Sequence, residues 1–284
     1  MAALTFEETS RTLDTDQGKL HYHEAGDGPP LVLLHGSGPG VSAWANFRGN
    51  LETFSARFRV LALDFPGFGR SYSPDANPVM AAPGAVVSFL DGLGLGAVPI
   101  VGNSMGGGVA AQIAAMHPER VSRLVTLGGV GVPLFSASPP EGIKLLVEFV
   151  ENPTRDRLVK WMESMVYDTA LITDEFVQLR WEQATDPAAL EGIRRMYNQQ
   201  LLDNFRAIAG NPAGLTMLPK IQAPTLLTWG RDDRVTPLDG ALGPMRFIPR
   251  CELHVFYDCG HWAMIERKDE FESVVLSFLL RDQG

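Results

Sequence analysis

The sequence predicts an α/β fold, a mostly parallel central sheet with helices on both faces, interrupted once by a helical insertion. Three observations carry this. Apolar runs of strand length alternate with helical stretches up to about residue 130. From Val130 to Leu218 strand patterns vanish and helical ones follow one another. Afterwards the alternation resumes, so the insertion interrupts one sheet rather than adding a separate domain. The expected core is residues 1–130 with 219–284, and the insertion, read as a cap, is 131–218.

Lys19 to Glu24 alternates as an early strand, and Gly26-Asp-Gly-Pro-Pro30 turns the chain into the apolar strand Leu31 to Leu34. Trp44 to Phe54 reads as a helix, Arg59 to Leu63 as a strand, and Met80 to Leu93 as a helix with Pro83 placed in its first turn. Val98 to Val101 is a buried strand, Ser104 to His117 a helix rich in Ala and Val, and Val121 to Leu127 another strand. The insertion carries helices over Glu141–Glu151, Thr154–Met165, Thr173–Gln183 and Pro187–Ile208, with Thr154 and Thr173 where N-caps belong. Thr225 to Gly230 and Glu252 to Phe256 are the last strands, with helices at Leu238–Met245 and Glu270–Leu280.

Composition narrows the function classes. A chain of 284 residues, 45% hydrophobic, buries a large core. Its net charge of -9 argues against a nucleic-acid surface or adhesion to an anionic membrane. No basic region followed by an apolar one occurs in Met1–Leu20, and no apolar stretch is long enough to span a bilayer, so a cytoplasmic location is expected. Cys251 and Cys259 suit a reduced compartment as ordinary thiols. His21 and His23 share a strand face without a third ligand nearby, which favours a structural role over a metal site.

The chemistry centres on Gly102-Asn-Ser-Met-Gly106, a G-x-S-x-G turn between a strand and a helix. Glycines there let the chain reverse within about three residues while one hydroxyl is held in the open. An oxyanion beside Ser104 would meet unpaired N–H groups at a helix N-terminus. The P-loop ending and the acidic residue of a dinucleotide site are both missing, which sets a phosphate loop aside. The loop His35-Gly-Ser-Gly-Pro-Gly40 after a buried strand looks like the other half of an oxyanion hole. A serine needs a histidine base and a carboxylate to orient it, in the order Ser, Asp, His. Of six histidines, His21, His23 and His35 precede Ser104, His117 ends its helix and His254 lies within a strand, which leaves His261. Gly230-Arg-Asp-Asp-Arg234 offers Asp232 and Asp233, between which the local pattern does not choose.

Together with Trp44-Ala-Asn46, Arg180-Trp181 and Cys259-Gly-His-Trp262, these motifs resemble the meta-cleavage product hydrolases of the α/β-hydrolase fold, nearly end to end. Leu4-Thr-Phe6 and Leu20-His-Tyr-His-Glu-Ala-Gly26 look most like the steroid-ring branch. The resemblance implies Ser104 as nucleophile, His261 as acid/base and Asp233 as its orienter. It gives one oxyanion N–H to Met105 and the other to Ser37 or Gly38, some members having Gly where this chain has Ser37. It places Arg180, Asn103, Asn46 and Trp262 around a dienoate carboxylate and its 2-oxygen, and a guanidinium there grips a carboxylate bidentately. Without the resemblance, Arg180 reads as a surface helix charge. Met165 and Val235 stand where some relatives have Phe, which suggests a pocket open to alkyl or bulky groups.

The implied reaction is hydrolysis of the C5–C6 bond of a 2-hydroxy-6-oxo-hexa-2,4-dienoate after ketonisation, with no metal or organic cofactor, by a homodimer or larger homo-oligomer. Two alternatives stand beside it. One is a carboxylesterase or lactonase with the same triad, the other a ligand-sensing relative that binds without turnover. A haloalkane dehalogenase would need a carboxylate where Ser104 stands.

Overall fold

Strands of Leu, Val and Ile without polar interruption require a sheet covered on both faces. The computed structural model describes residues 4–208 and 215–281. Residues 1–3 and 282–284 of the expected core and 209–214 of the expected insertion lie outside the described residues. Helix α1 (Phe6–Thr9) leads into β1 (Ser10–Thr15) and β2 (Gly18–Ala25), followed by β3 (Pro30–Leu34), α2 (Ala43–Phe47), α3 (Leu51–Ser55), β4 (Arg59–Leu63), α4 (Pro78–Gly92), β5 (Val98–Asn103), α5 (Met105–Met116) and β6 (Val121–Leu127). Between β6 and β7 (Thr225–Gly230) come α6 (Glu141–Glu151), α7 (Arg155–Ser164), α8 (Asp174–Ala184), α9 (Pro187–Met196) and α10 (Gln199–Ile208). Helix α11 (Leu242–Phe247), β8 (Cys251–Phe256), α12 (Ala263–Glu266) and α13 (Lys268–Leu279) close the chain.

The sheet order is β1-β2-β4-β3-β5-β6-β7-β8. Strand β2 pairs antiparallel with β1 and β4, and the remaining pairs are parallel. The period-two alternation divides each central strand between two cores. Leu31, Leu33, Val101 and Val125 face one, while Val32, Leu34, Ile100 and Leu124 face the other. Full burial of each Leu, Ile or Val stabilises the fold by roughly 1.5–3 kcal/mol, which fixes the register against a one-residue slip. Because β3 lies between β4 and β5, the winding direction reverses there, and the loops leaving β3 and β5 open a crevice at the carboxyl end of the sheet.

Several elements differ from the sequence expectation. The helix expected over Trp44–Phe54 is two, α2 and α3, parted at Gly49 and Asn50. The Asn50 amide donates to the Met264 carbonyl at 3.2 Å and to Glu272 at 2.8 Å, which ties it to distant chain rather than to a helix. The helix expected over Pro187–Ile208 breaks at Tyr197 and Asn198, where the Asn198 side chain caps α10 by accepting from the Leu201 amide. Helix α4 begins at Pro78 behind its cap Asn77, so Pro83 lies inside it rather than in its first turn. The expected helix from Leu238 opens as a 3-10 turn over Leu238–Ala241. Strand β1 was not expected, since its polar sequence lies half in solvent at the sheet edge. Thr154 and Thr173 cap α7 and α8 as expected, accepting from Arg157 and Phe176 amides.

His21 and His23 have structural partners. His21 Nδ1 meets Asp64 at 2.7 Å and Nε2 meets Ser10 at 2.8 Å, while His23 Nδ1 meets Thr9 at 2.8 Å. Burial pulls the His23 imidazole down to about 4, so it is neutral at ordinary pH. Among the described residues no group of three His, Cys, Asp or Glu side chains could hold a metal.

Candidate active site

The turn from β5 to α5 is tight enough to exclude side chains. A Cβ on Gly102 would stand 2.3 Å from the Gly106 carbonyl oxygen, and one on Gly106 would stand 2.2 Å from that of Leu34. Ser104 between them adopts φ 52° and ψ -116°, a conformation that costs a non-glycine residue about 1–3 kcal/mol. Its amide donates to the Leu127 carbonyl at 2.8 Å, which holds the turn against the end of β6. Its hydroxyl caps no helix N–H, so the side chain is left to the crevice.

The loop after β7 supplies a carboxylate fully engaged on both oxygens. Asp233 Oδ1 accepts from the amides of Val235 and Thr236 at 2.7 and 2.8 Å. Oδ2 accepts from the Thr236 hydroxyl at 2.7 Å and lies 2.7 Å from His261 Nδ1. Both side chains are nearly inaccessible, at 2% for Asp233 and 1% for His261. The neighbouring Asp232 instead pairs with the half-exposed Arg231 at 3.2 Å. With Nδ1 held by Asp233, the imidazole has Nε2 left to act as a base. The His261 amide donates to the Met165 carbonyl at 2.7 Å, so the residue that caps the end of α7 anchors the histidine loop.

Two consecutive glycines after β6 locate His261 relative to Ser104. A Cβ on Gly128 would lie 3.4 Å from His261 Cε1, and one on Gly129 would lie 1.8 Å from the Ser104 carbonyl oxygen. The imidazole and the serine therefore sit on either side of one short turn. On the opposite side, a Cβ on Gly36 would lie 3.3 Å from Ser104 Cβ, which puts the loop after β3 directly against the nucleophile.

A cavity of about 230 Å³ opens at Ser104, and Ser37, Met105, Tyr197, Val235 and Thr236 stand on its wall. Most of the remaining lining is apolar, including Ile143, Leu201, Phe205 and Trp229, and none of the described lining residues is charged. Of the two expected second oxyanion donors, Ser37 faces this cavity, whereas Gly38 lies against the Trp161 indole and lines a separate cleft. Met165 is buried at the end of α7 and meets the site through its carbonyl.

The expected polar residues Asn46, Asn103, Trp262 and Arg180 are not among the described lining of this cavity. Asn46 Nδ2 donates to Asn103 Oδ1 at 3.1 Å, and Asn103 Nδ2 donates to the Leu127 carbonyl at 3.3 Å. Trp262 is buried, its ring 6.1 Å from that of Trp161 and 6.0 Å from that of Phe176. The Arg180 guanidinium lies 5.3 Å from the centre of the Phe176 ring and 5.4 Å from that of Trp262. Arg180 is 1% exposed, donates through Nη1 to the Gly40 carbonyl at 2.8 Å, and leaves Nε without a partner. Burial pulls its pKa down to about 10, with the charge of Arg48 adding to the effect. Among the described residues no carboxylate pairs with this guanidinium, so a buried cation on ring faces with its Nε–H unpartnered is chemically suited to an anion.

Sequence reasoning missed Thr236 and Tyr197. Thr236 had a signal, because an Asp followed three residues later by Thr is the pattern of a side-chain-capped turn. Tyr197 had none, since its role depends on a contact 160 residues away.

Comparison with known proteins agrees with this fold. A family model described as the alpha/beta hydrolase fold matches residues 29–268. A 2-hydroxy-6-oxononadienedioate/2-hydroxy-6-oxononatrienedioate hydrolase from Pseudomonas putida is 41% identical over 277 residues, covering 92% of this chain and 91% of its own. A 2-hydroxy-6-oxo-6-phenylhexa-2,4-dienoate hydrolase from Comamonas testosteroni is 38% identical over 271 residues, covering 92% and 91%. Among solved structures, a meta-cleavage product hydrolase from Pseudomonas fluorescens IP01, complexed with acetates, superposes with a TM-score of 0.84 at 32% identity, covering 95% of this chain and 97% of that one.

Proposed function

This chain belongs to the α/β-hydrolase family and, within it, to the meta-cleavage product hydrolases, and from that membership we propose how its residues divide the reaction. The substrate is a 2-hydroxy-6-oxo-hexa-2,4-dienoate type compound, and its C5–C6 bond is hydrolysed to a carboxylic acid and a 2-hydroxypenta-2,4-dienoate. Arg180 takes the dienoate carboxylate, and Asn46, Asn103 and Trp262 surround the 2-oxygen and assist ketonisation. The Ser104 hydroxyl then attacks the C6 carbonyl while His261 Nε2 takes its proton, with Asp233 holding the imidazole. The Met105 amide and an amide of Ser37 or Gly38 stabilise the resulting alkoxide. On collapse the C5–C6 bond breaks, its electron pair leaves with the dienoate fragment, and His261 returns the proton to that fragment. Water, deprotonated by His261, adds to the acyl-serine and releases the acid.

The observation that carries this reading is the buried Arg180 guanidinium, which has no counter-ion among the described residues. A triad serves any acyl transfer, but a cation held so deep serves an anionic substrate. In this reading residues 131–218 act as the cap, since α8 supplies Arg180 over the crevice.

The C6 substituent is read as uncharged. The Ser104 cavity offers it Ile143, Leu201, Phe205 and Val235 and no cation among the described residues, so a terminal carboxylate would lose its hydration without a partner. Phenyl and branched-alkyl dienoates are therefore expected to exceed the nonadienedioate in kcat/KM by about 100-fold. Steady-state loss of dienolate absorbance checks this, with a steroid-derived dienoate as the fourth substrate. Equal turnover of the dioate ends the uncharged reading, and turnover of none of the four ends the functional one.

We also read the protein as a cytoplasmic homodimer or larger homo-oligomer. What supports assembly is the edge strand β8, where Val255 is exposed, with Tyr257 directly after it and Leu242, Met245 and Phe247 exposed on the adjoining helix. Sedimentation equilibrium at micromolar concentration is expected to give at least twice the chain mass.

A further inference from the structure

The loop Gly36-Ser-Gly-Pro-Gly40 that leans on Ser104 has a single polar side chain, the hydroxyl of Ser37. Gly38 and Gly40 have φ of 139° and 64°, so this backbone has few intrinsic constraints and must be held from outside. From the core it is held by His35, whose Nδ1 meets the Gly36 carbonyl at 2.5 Å, and by Asn46, which accepts from the Gly36 amide at 3.4 Å. From the helices between β6 and β7 it is held by Tyr197, whose phenol hydrogen-bonds the Ser37 hydroxyl. Burial raises the Tyr197 phenol above its ordinary range, so it stays protonated near neutral pH.

Tyr197 lies at the break between α9 and α10, in extended backbone, and Arg195, two residues before it, fastens that break to the core. Arg195 Nη1 donates to the Pro74 and Asp75 carbonyls at 2.9 and 3.1 Å, and Asn77 Nδ2 donates to the Arg195 carbonyl at 3.1 Å. Thus one short segment makes two kinds of contact. Its outer side grips the loop before α4, and its inner side reaches the loop beside the nucleophile.

We propose that Tyr197 is a positioning residue which, through Ser37, sets the loop amides that face Ser104, so that the oxyanion site is complete only when the α9–α10 junction is seated on the core. This rests on the reaction assigned above. It explains why the break interrupts an otherwise continuous amphipathic run, since an unbroken helix would have no extended residue at that point. It also assigns the hydroxyl pair to the C–C cleavage step rather than to ketonisation, which belongs to the Arg180 side.

Stopped-flow absorbance with a phenyl-substituted dienoate separates those two phases. Tyr197→Phe and Ser37→Ala each remove one hydroxyl and are expected to slow cleavage about fivefold to tenfold, with the ketonisation phase and KM within twofold of the unmodified enzyme. The double variant is expected to be no slower than the slower single, because the two groups act through one bond. A cleavage rate within twofold in either single variant, or losses that multiply in the double, overturns the proposal. A raised KM with unchanged cleavage overturns it too, by placing the hydroxyls against the substituent. Ser37→Ala leaves the inserted helices untouched, so the test survives if Tyr197→Phe folds poorly. Absence of any cleavage by the unmodified enzyme sinks the functional reading instead.

Discussion

Ser104→Ala is expected to remove C–C cleavage by at least about 10³-fold while leaving the protein folded and able to bind its substrate. The nucleophile is the one group whose loss no neighbour replaces, because Thr236 is committed to Asp233 and Ser37 to Tyr197. The stability expectation follows from the backbone. Ser104 makes no side-chain cap bond, and alanine meets the same φ of 52° at the same penalty, so the melting temperature should move little. Ser104→Gly should be equally inactive yet more stable by about 1 kcal/mol, since glycine adopts that conformation without steric penalty. Single-turnover absorbance and thermal melts of the two variants test both halves. Retained cleavage in either variant excludes Ser104 as the nucleophile, and equal melting temperatures exclude stored backbone strain.

What could be read from the residues was what local pattern controls. The run Val98–Val101 followed by small residues requires a buried strand and a sharp turn, and β5, Ser104 and α5 stand there. His261 was reachable by elimination, because chain order discarded three of the other histidines and placement in a helix end or a strand discarded His117 and His254. The choice between Asp232 and Asp233 was not local, since adjacent carboxylates in one turn differ only in what lies across from them. One meets Arg231 at the surface, the other His261 in the interior. Arg180 was further out of reach. Helix α8 places it among exposed charges, and only the Gly40 carbonyl and two aromatic rings distant in sequence make it a buried group. The two helix breaks failed for a related reason, as Asn50 and Tyr197 take their partners from far along the chain.

Arg180→Met is expected to make the protein worse at its reaction and better at staying folded. A guanidinium 1% exposed, with one hydrogen bond and no counter-ion among the described residues, is destabilising while no anion is bound. Its pKa falls from the usual guanidinium range to about 10, mainly through desolvation, which corresponds to a penalty on the order of 3 kcal/mol. The sign fixes the pH window. Below pH 10 both folded and unfolded chains carry the charge, and the whole penalty applies. As pH rises above about 10 the folded chain releases the proton before the unfolded one does, so the unmodified protein recovers relative to the variant. Methionine keeps the length and the contact with Phe176 and Trp262 without the charge. Three measurements then separate roles. Thermal melts at neutral pH should place Arg180→Met above the unmodified protein by several degrees. A small carboxylate should raise the melting temperature of the unmodified protein and not of the variant. The kcat/KM for a dienoate should fall about 10²- to 10³-fold, whereas turnover of an uncharged p-nitrophenyl ester should change less than about threefold. Equal losses on both substrates would make Arg180 a structural prop for the triad, and unchanged dienoate turnover would return the chain to the esterases.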